Sequence, residues 1–289
     1  MKKLRTVAVS MIMAALGLLI YCAGFYIKSY EQNVEAKAGY EEIARIAETG
    51  SPFEITGNSD GKNSSNVIGK KNSDDRKENR NKNKKHKNNA DKIRESFGIS
   101  WEDLRKINPQ VAAWITIPGA DISYPVVQGT DDDYYLKHNF KGEEDLFGCI
   151  FLEHDNKKDF TGSHSIIYGH NMEGNMMFAN LNRYEQSEFL RKCPEIEITT
   201  PERRFLYRIF SVEQASSQSE AFRYGYKLLS RAYKLQLSEL KKSSMYDTGV
   251  EPDAAAPIVT LITCNSRLDK EIRMAVHGTC YEIEEADLQ

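Results

Sequence analysis

The chain has no CxxC pair, and Cys264, His277 and Cys280 lack the paired spacing of a zinc site, so no metal and no other cofactor is expected. Asp131, Asp132 and Asp133 lack the spacing and glycine of a calcium loop and read instead as a turn before Tyr134 and Leu136. No internal repeat is present, which excludes a stacked-repeat architecture. The net charge of −3 says little about partners, because the basic residues crowd into one stretch, Gly61 to Lys92. That stretch is rich in Lys and Asn and has almost no large apolar side chains, so its burial cannot offset the entropy of ordering it. It reads as a disordered, solvated tether, and no nucleic-acid partner is expected from it.

Cysteine is scarce, with five in 289 residues, and one of these, Cys22, lies in an apolar run. Cys149, Cys193, Cys264 and Cys280 allow two disulfides in an oxidising compartment, but their spacing favours no pairing. Cys149 and Cys193 are most simply small core hydrophobes.

Only one hydrophobic run is long. Lys2, Lys3 and Arg5 precede uncharged residues from Thr6 to Ile27, about the 20 needed to cross a bilayer as a helix. The basic flank predicts a single-pass anchor in the cell membrane with its N-terminus inside and the rest outside. Residues 1–28 are therefore read as anchor and 29–92 as a stalk helix followed by the basic linker. Asp91 to Asn108 resumes helical character, with Ser100 and Asp103 spaced as a capping box.

From Val111 the pattern becomes mainly strand. Ala113–Ile117, Ile122–Val127, Gly148–Leu152, Ser165–Tyr168, Glu195–Thr199 and Phe205–Val212 are β runs, and Phe178–Leu190 reads as a helix. Ala221 to Asp247 has helical spacing at Leu228, Leu229, Ala232, Leu235, Leu237 and Leu240. About eight strands with few helices predict a mainly β, closed or nearly closed barrel.

The richest stretch runs from Pro257 to His277. An apolar, β-branched strand ends at Cys264, a polar loop follows, and an alternating strand returns from Arg273. Such a pair brings the thiol and the guanidinium to one cleft, where a cation favours the nucleophilic thiolate and an arginine stabilises an oxyanion. His170 follows Gly169 at the end of another strand and supplies the proton acceptor that a thiol nucleophile needs. His138, His154 and His164 fall in polar loop stretches, and His277 alternates into the last strand. Arg267, in the loop, is the rival to Arg273.

Thr260, Leu261, Ile262, Thr263 and Cys264, with Arg273 nine positions on and the YGHNM segment at Tyr168 to Met172, resemble a sortase, and class B most closely. The resemblance covers roughly Val111 to Thr279. It implies an eight-stranded barrel over 93–289 with an N-terminal helix and a helix in the insertion before the last two strands. It also implies a cysteine transpeptidase of Gram-positive bacteria, with Cys264 as nucleophile, His170 as general acid/base and Arg273 at the oxyanion. Thr263, Leu261, Asn171 and the Ala221 to Asp247 insertion become candidate substrate-binding residues. The implied partners are secreted proteins with a C-terminal LPxTG or NPQTN-like sorting motif and an amine of the cell wall, from lipid II or peptidoglycan. Class B members often carry an acidic residue at or after the position held here by Asn265, so what orients His170 is open, with Asp269 as one candidate. Pilin polymerisation, another extracellular thiol enzyme and a non-catalytic surface-binding domain are the alternatives.

Overall fold

The apolar run and the residues after it form one continuous helix, α1 (Lys2–Thr49), in a computed structural model that describes residues 2–49, 95–172, 174–264 and 272–286. No break separates the expected anchor from the expected stalk. Side chains from Met13 to Ile27 point outward, as a lipid-facing helix requires, and the helix is long and apolar enough to cross a membrane. Further along, Ala36, Tyr40, Ile43 and Ala47 recur at three- and four-residue spacing and are buried against the rest of the chain. Val34 lies outside this stripe and is exposed. The Tyr40 hydroxyl donates to Gly148 O at 2.7 Å, and its ring meets the edge of Tyr124 with centroids 5.5 Å apart. The basic tether lies outside the described residues.

Before the barrel, β1 (Glu95–Ser96) and β2 (Ile99–Ser100) form a small hairpin that leads into α2 (Trp101–Ile107). The helix is therefore shorter than the composition of 91–108 predicts, because Phe97 and Gly98 turn the chain with positive φ. The capping box is not formed: the Ser100 hydroxyl donates to Asp103 Oδ2 at 2.7 Å and caps no backbone N–H. Trp101 and Leu104 are wholly buried, and Trp101 Nε1 donates to Ser96 Oγ.

The barrel strands are β3 (Val111–Ile117), β4 (Ile122–Val127), β5 (Ile150–Leu152), β6 (His164–Gly169), β7 (Glu195–Thr199), β8 (Arg203–Ala215), β9 (Ile258–Cys264) and β10 (Arg273–Glu285). They close in the order β10-β8-β7-β3-β4-β5-β6-β9, so the mainly β, eight-stranded barrel expected from the sequence is the fold. Pairing is antiparallel except between β4 and β5 and between β6 and β9. Strands such as β3 are buried on both faces, since elements outside the barrel cover what the interior does not.

The helix expected over Phe178–Leu190 is broken into a 3₁₀ segment, Ala179–Glu185, and a short α3 (Ser187–Lys192). The insertion holds α4 (Arg231–Lys242), capped by the Ser230 hydroxyl accepting from Tyr233 N. Its buried face is Tyr233, Gln236, Leu237 and Leu240; Leu228, Leu229 and Leu235 are exposed, contrary to the stripe the sequence suggests. Leu228 and Leu229 precede the helix, and Leu229 has a φ of 62°, so the helical period does not extend to them.

His164 is not a loop residue but the first residue of β6, buried beneath this insertion. Its Nδ1 lies 2.6 Å from Arg223 O, which only accepts, so Nδ1 carries the proton. Thr260 Oγ1 then donates to His164 Nε2 at 2.7 Å and accepts from His277 Nδ1 at 2.8 Å. Burial, with His277 nearby, pulls the His164 pKa down to about 3. Between about pH 6.5 and 3 the unfolded chain therefore binds more protons at this site than the native one, and stability falls as pH falls through that window. The loss is at most about 5 kcal/mol at 1.36 kcal/mol per pH unit. His164→Asn is expected to flatten this acid limb in urea unfolding measured from pH 7 to 4, and an unchanged limb would show that another group sets it.

Candidate active site

Three strand ends meet at one rim of the barrel. In the β9–β10 pair Cys264 stands opposite Arg273, and Thr263 opposite Met274. In the parallel β6–β9 pair Gly169 is level with Thr263, so the next residue along, His170, comes level with Cys264. The three candidates separated by up to 103 positions in sequence are thus brought together by register alone. Arg267, Asn265 and Asp269 lie outside the described residues.

His170 sits where β6 leaves the barrel, in a loop folded back on itself. Its carbonyl accepts from Phe178 N at 2.9 Å, and Asn171 bridges to Met177. Gly169 serves this packing by leaving room, not by adopting an unusual backbone conformation. A Cβ there would come within 2.4 Å of Ile150 Cδ1 and 2.8 Å of the Phe178 ring. Gly169→Ala is therefore expected to cost about 1–3 kcal/mol in denaturant unfolding and to lower turnover by moving His170. A variant with wild-type stability and activity would contradict this close approach.

The ring of His170 is oriented by the main chain. Its Nε2 lies 2.8 Å from Leu136 O, and since a carbonyl only accepts, Nε2 carries the proton and Nδ1 is left as an acceptor. The Leu136 carbonyl itself is fixed by a buried loop. Asn108 Nδ2 donates to Tyr135 Oη at 2.9 Å and to Phe140 O at 3.0 Å, and Cys149 N donates to Tyr135 O at 2.9 Å. At Gly148, with φ of +54°, any Cβ would meet Tyr135 O at 2.4 Å, so glycine is required there. No side-chain letter announces this partner: a backbone carbonyl is common to every residue.

Arg273 is half-buried, and its charge reaches the hydroxyl of Tyr168. Burial pushes the Tyr168 phenol up, Glu153 adds to this, and Arg273 opposes it. Tyr168 Oη donates to Glu153 Oε2 at 2.8 Å. Burial and a hydrogen bond with Asp132 push the Glu153 carboxyl up to about 7. His154 Nδ1 meets both acids, at 2.8 Å from Asp132 Oδ2 and 2.9 Å from Glu153 Oε1. Asp131, as the sequence suggests, caps a 3₁₀ turn, accepting from Asp133 N and Tyr134 N.

The candidate substrate residues divide. Leu261 is wholly buried in the barrel core and Thr263 is 1% exposed, so the structure shows both packed within β9. Asn171 is half-buried beside His170. The insertion packs α4 on the outside of β6, β8, β9 and β10 and leaves Arg223, Tyr224 and Tyr226 partly exposed at its near end.

The sortase domain family matches residues 115–280. Sortase B of Listeria monocytogenes is 33% identical over 177 residues, 61% of this chain and 72% of that protein. Sortase B of Staphylococcus aureus is 28% identical over 185 residues, 64% of this chain and 75% of its own. Among solved structures, Clostridium perfringens sortase B superposes with a TM-score of 0.58 at 29% identity, covering 63% of this chain and 99% of that one. A complex of Staphylococcus aureus sortase B with substrate gives 0.59 at 27% identity, covering 63% and 85%.

Proposed function

We propose a reaction for Cys264 from one premise: the chain belongs to the sortase family, in its class B branch, and is a cysteine transpeptidase. The Cys264 thiol gives its proton to His170 Nδ1, and the thiolate attacks the carbonyl carbon of the threonine in a C-terminal sorting motif, LPxTG or NPQTN-like, of a secreted protein. The carbonyl electrons move to oxygen, and Arg273 stabilises that oxyanion. As the tetrahedral species collapses the C–N bond breaks, and the departing amine takes the proton from His170 Nδ1. A thioacyl enzyme remains. An amine of a cell-wall precursor then adds to the thioester carbon, its proton passes to His170 Nδ1, and the C–S bond breaks to return the thiolate. One amide replaces another, with no net oxidation or hydrolysis.

The observation that carries this reading is the register that sets Cys264 opposite Arg273 and level with His170. The Leu136 carbonyl supports it by leaving Nδ1 as the working nitrogen. Asn171 and the 221–247 insertion contact the sorting peptide in this reading; the solved substrate complex of the Staphylococcus aureus relative favours a peptide site on the domain. Helix α1 is the anchor, its N-terminus inside and the barrel outside, which places the reaction on the outer face of the membrane. The test is the full chain in detergent micelles with fluorogenic LPxTG- and NPQTN-type peptides and triglycine amide. Cleavage after threonine with a triglycine adduct by mass spectrometry is the expected result; cleavage giving only the free acid at any amine concentration would make the protein a peptidase instead.

A further inference from the structure

We propose that the cleft between α1 and the 136–147 loop is the entry for the amine acceptor, which makes Glu35, Gly39 and Glu144 part of its walls; this rests on the reading of Cys264 as a transpeptidase nucleophile. The cleft is a cavity of about 910 Å³. One wall is α1 from Gln32 to Ile43, the other is the loop, and His170 lies in the lining. Of the catalytic candidates, His170 is the one that exchanges a proton with both amines in the reaction proposed above. By microscopic reversibility the incoming amine takes the position that the leaving amine has vacated, and that position must adjoin His170. A cavity bordered by His170 therefore serves the amine side of the scissile bond. The departing segment and the acceptor use it in turn.

The charge of the cleft suits an ammonium group. Glu35, Glu143, Glu144 and Asp145 line it against Lys137 and Lys141, and Lys141 is already paired with Glu42 at 3.0 Å. A surplus of carboxylates concentrates a cationic amine before it is deprotonated. The walls are held in place, since Tyr40 donates to Gly148 O and the Lys141–Glu42 pair joins loop to helix.

The position of the cleft also selects the acceptor's carrier. The apolar run ends at Ile27, and α1 continues without a break. At 1.5 Å per residue, Gln32 to Ile43 then stand about 7 to 24 Å beyond the end of the run. A primary amine on a peptide carried by a membrane-anchored molecule is presented at this height.

The test uses the full chain in micelles, a cleavable sorting peptide and triglycine amide, and reads the ratio of amide to acid product. Gly39 lines the cleft and an added Cβ there meets nothing within 4 Å, so Gly39→Trp is the substitution chosen to fill it. It is expected to lower the amide-to-acid ratio about tenfold. Glu35→Lys, on the exposed face of α1, is expected to raise the amine concentration for half-maximal capture several-fold at low salt and much less at high salt. If the wild type forms the amide and both variants keep its ratio at every amine concentration, the cleft is not the entry. If the wild type cleaves no sorting peptide, the transpeptidase reading fails, and the cleft assignment with it.

Discussion

Cys264→Ala is expected to lose all acyl-enzyme and to lower turnover of a sorting peptide by more than about 10³-fold. No other cysteine of the barrel can take its place. Burial pushes the Cys149 thiol up to about 12 and the Cys280 thiol up to about 11, and raises that of Cys193 as well. All three are buried and free, so at neutral pH they are neither ionised nor accessible. Cys22 is exposed, but on the apolar part of α1. Alkylation of the native protein near pH 7, mapped by mass spectrometry, should accordingly mark Cys264 among the barrel cysteines. Retained turnover in Cys264→Ala would remove the nucleophile from the account.

Arg273→Ala is expected to lower kcat by about 10²–10³-fold, the usual cost of removing one oxyanion donor. KM for the peptide should change much less, because the charge it stabilises appears only in the transition state. Arg273→Lys should recover only part of the loss, since an ammonium supplies the charge but not the planar fork of donors. The strand itself should survive either change. Arg273 opens β10, where pairing to Cys264 on one side and Ala215 on the other is made by the main chain. Steady-state kinetics that put the whole effect in KM would move Arg273 from the oxyanion to substrate binding.

Much of the barrel was legible because its strands carry β-branched runs bounded by polar turns, as in Ile258–Cys264. The candidate site was legible for a related reason: each candidate is a distinctive residue type at a strand end, and the register brings those ends level. What escaped is mostly backbone or spatial in origin. The partner that orients His170 is the carbonyl of Leu136, 34 positions away and chemically indistinguishable in sequence from any other. Gly169 reads as a flexible residue, yet its role is set by Ile150 and Phe178, which only the fold brings near. His164 looks like a loop residue between polar neighbours, and its burial depends on an insertion about 60 positions further on. The leucines of that insertion suggest one helical face, but only Leu237 and Leu240 of them are buried, and Tyr233 and Gln236 complete the face, reaching Ser163 O, Ala256 O and Arg223 O. The stripe of α1 was partly visible, whereas its docking on the barrel was not.

The central claim is that Cys264 carries the acyl group from one amine to another. The most direct measurement is the intact mass of the full chain, quenched in acid during turnover of a sorting peptide, before and after triglycine amide is added. The account predicts a mass increase equal to the acyl fragment ending in threonine, located on Cys264 by peptide mapping, that disappears as the amide product forms. Turnover with no covalent adduct at Cys264, or an adduct that the amine does not discharge, would contradict it.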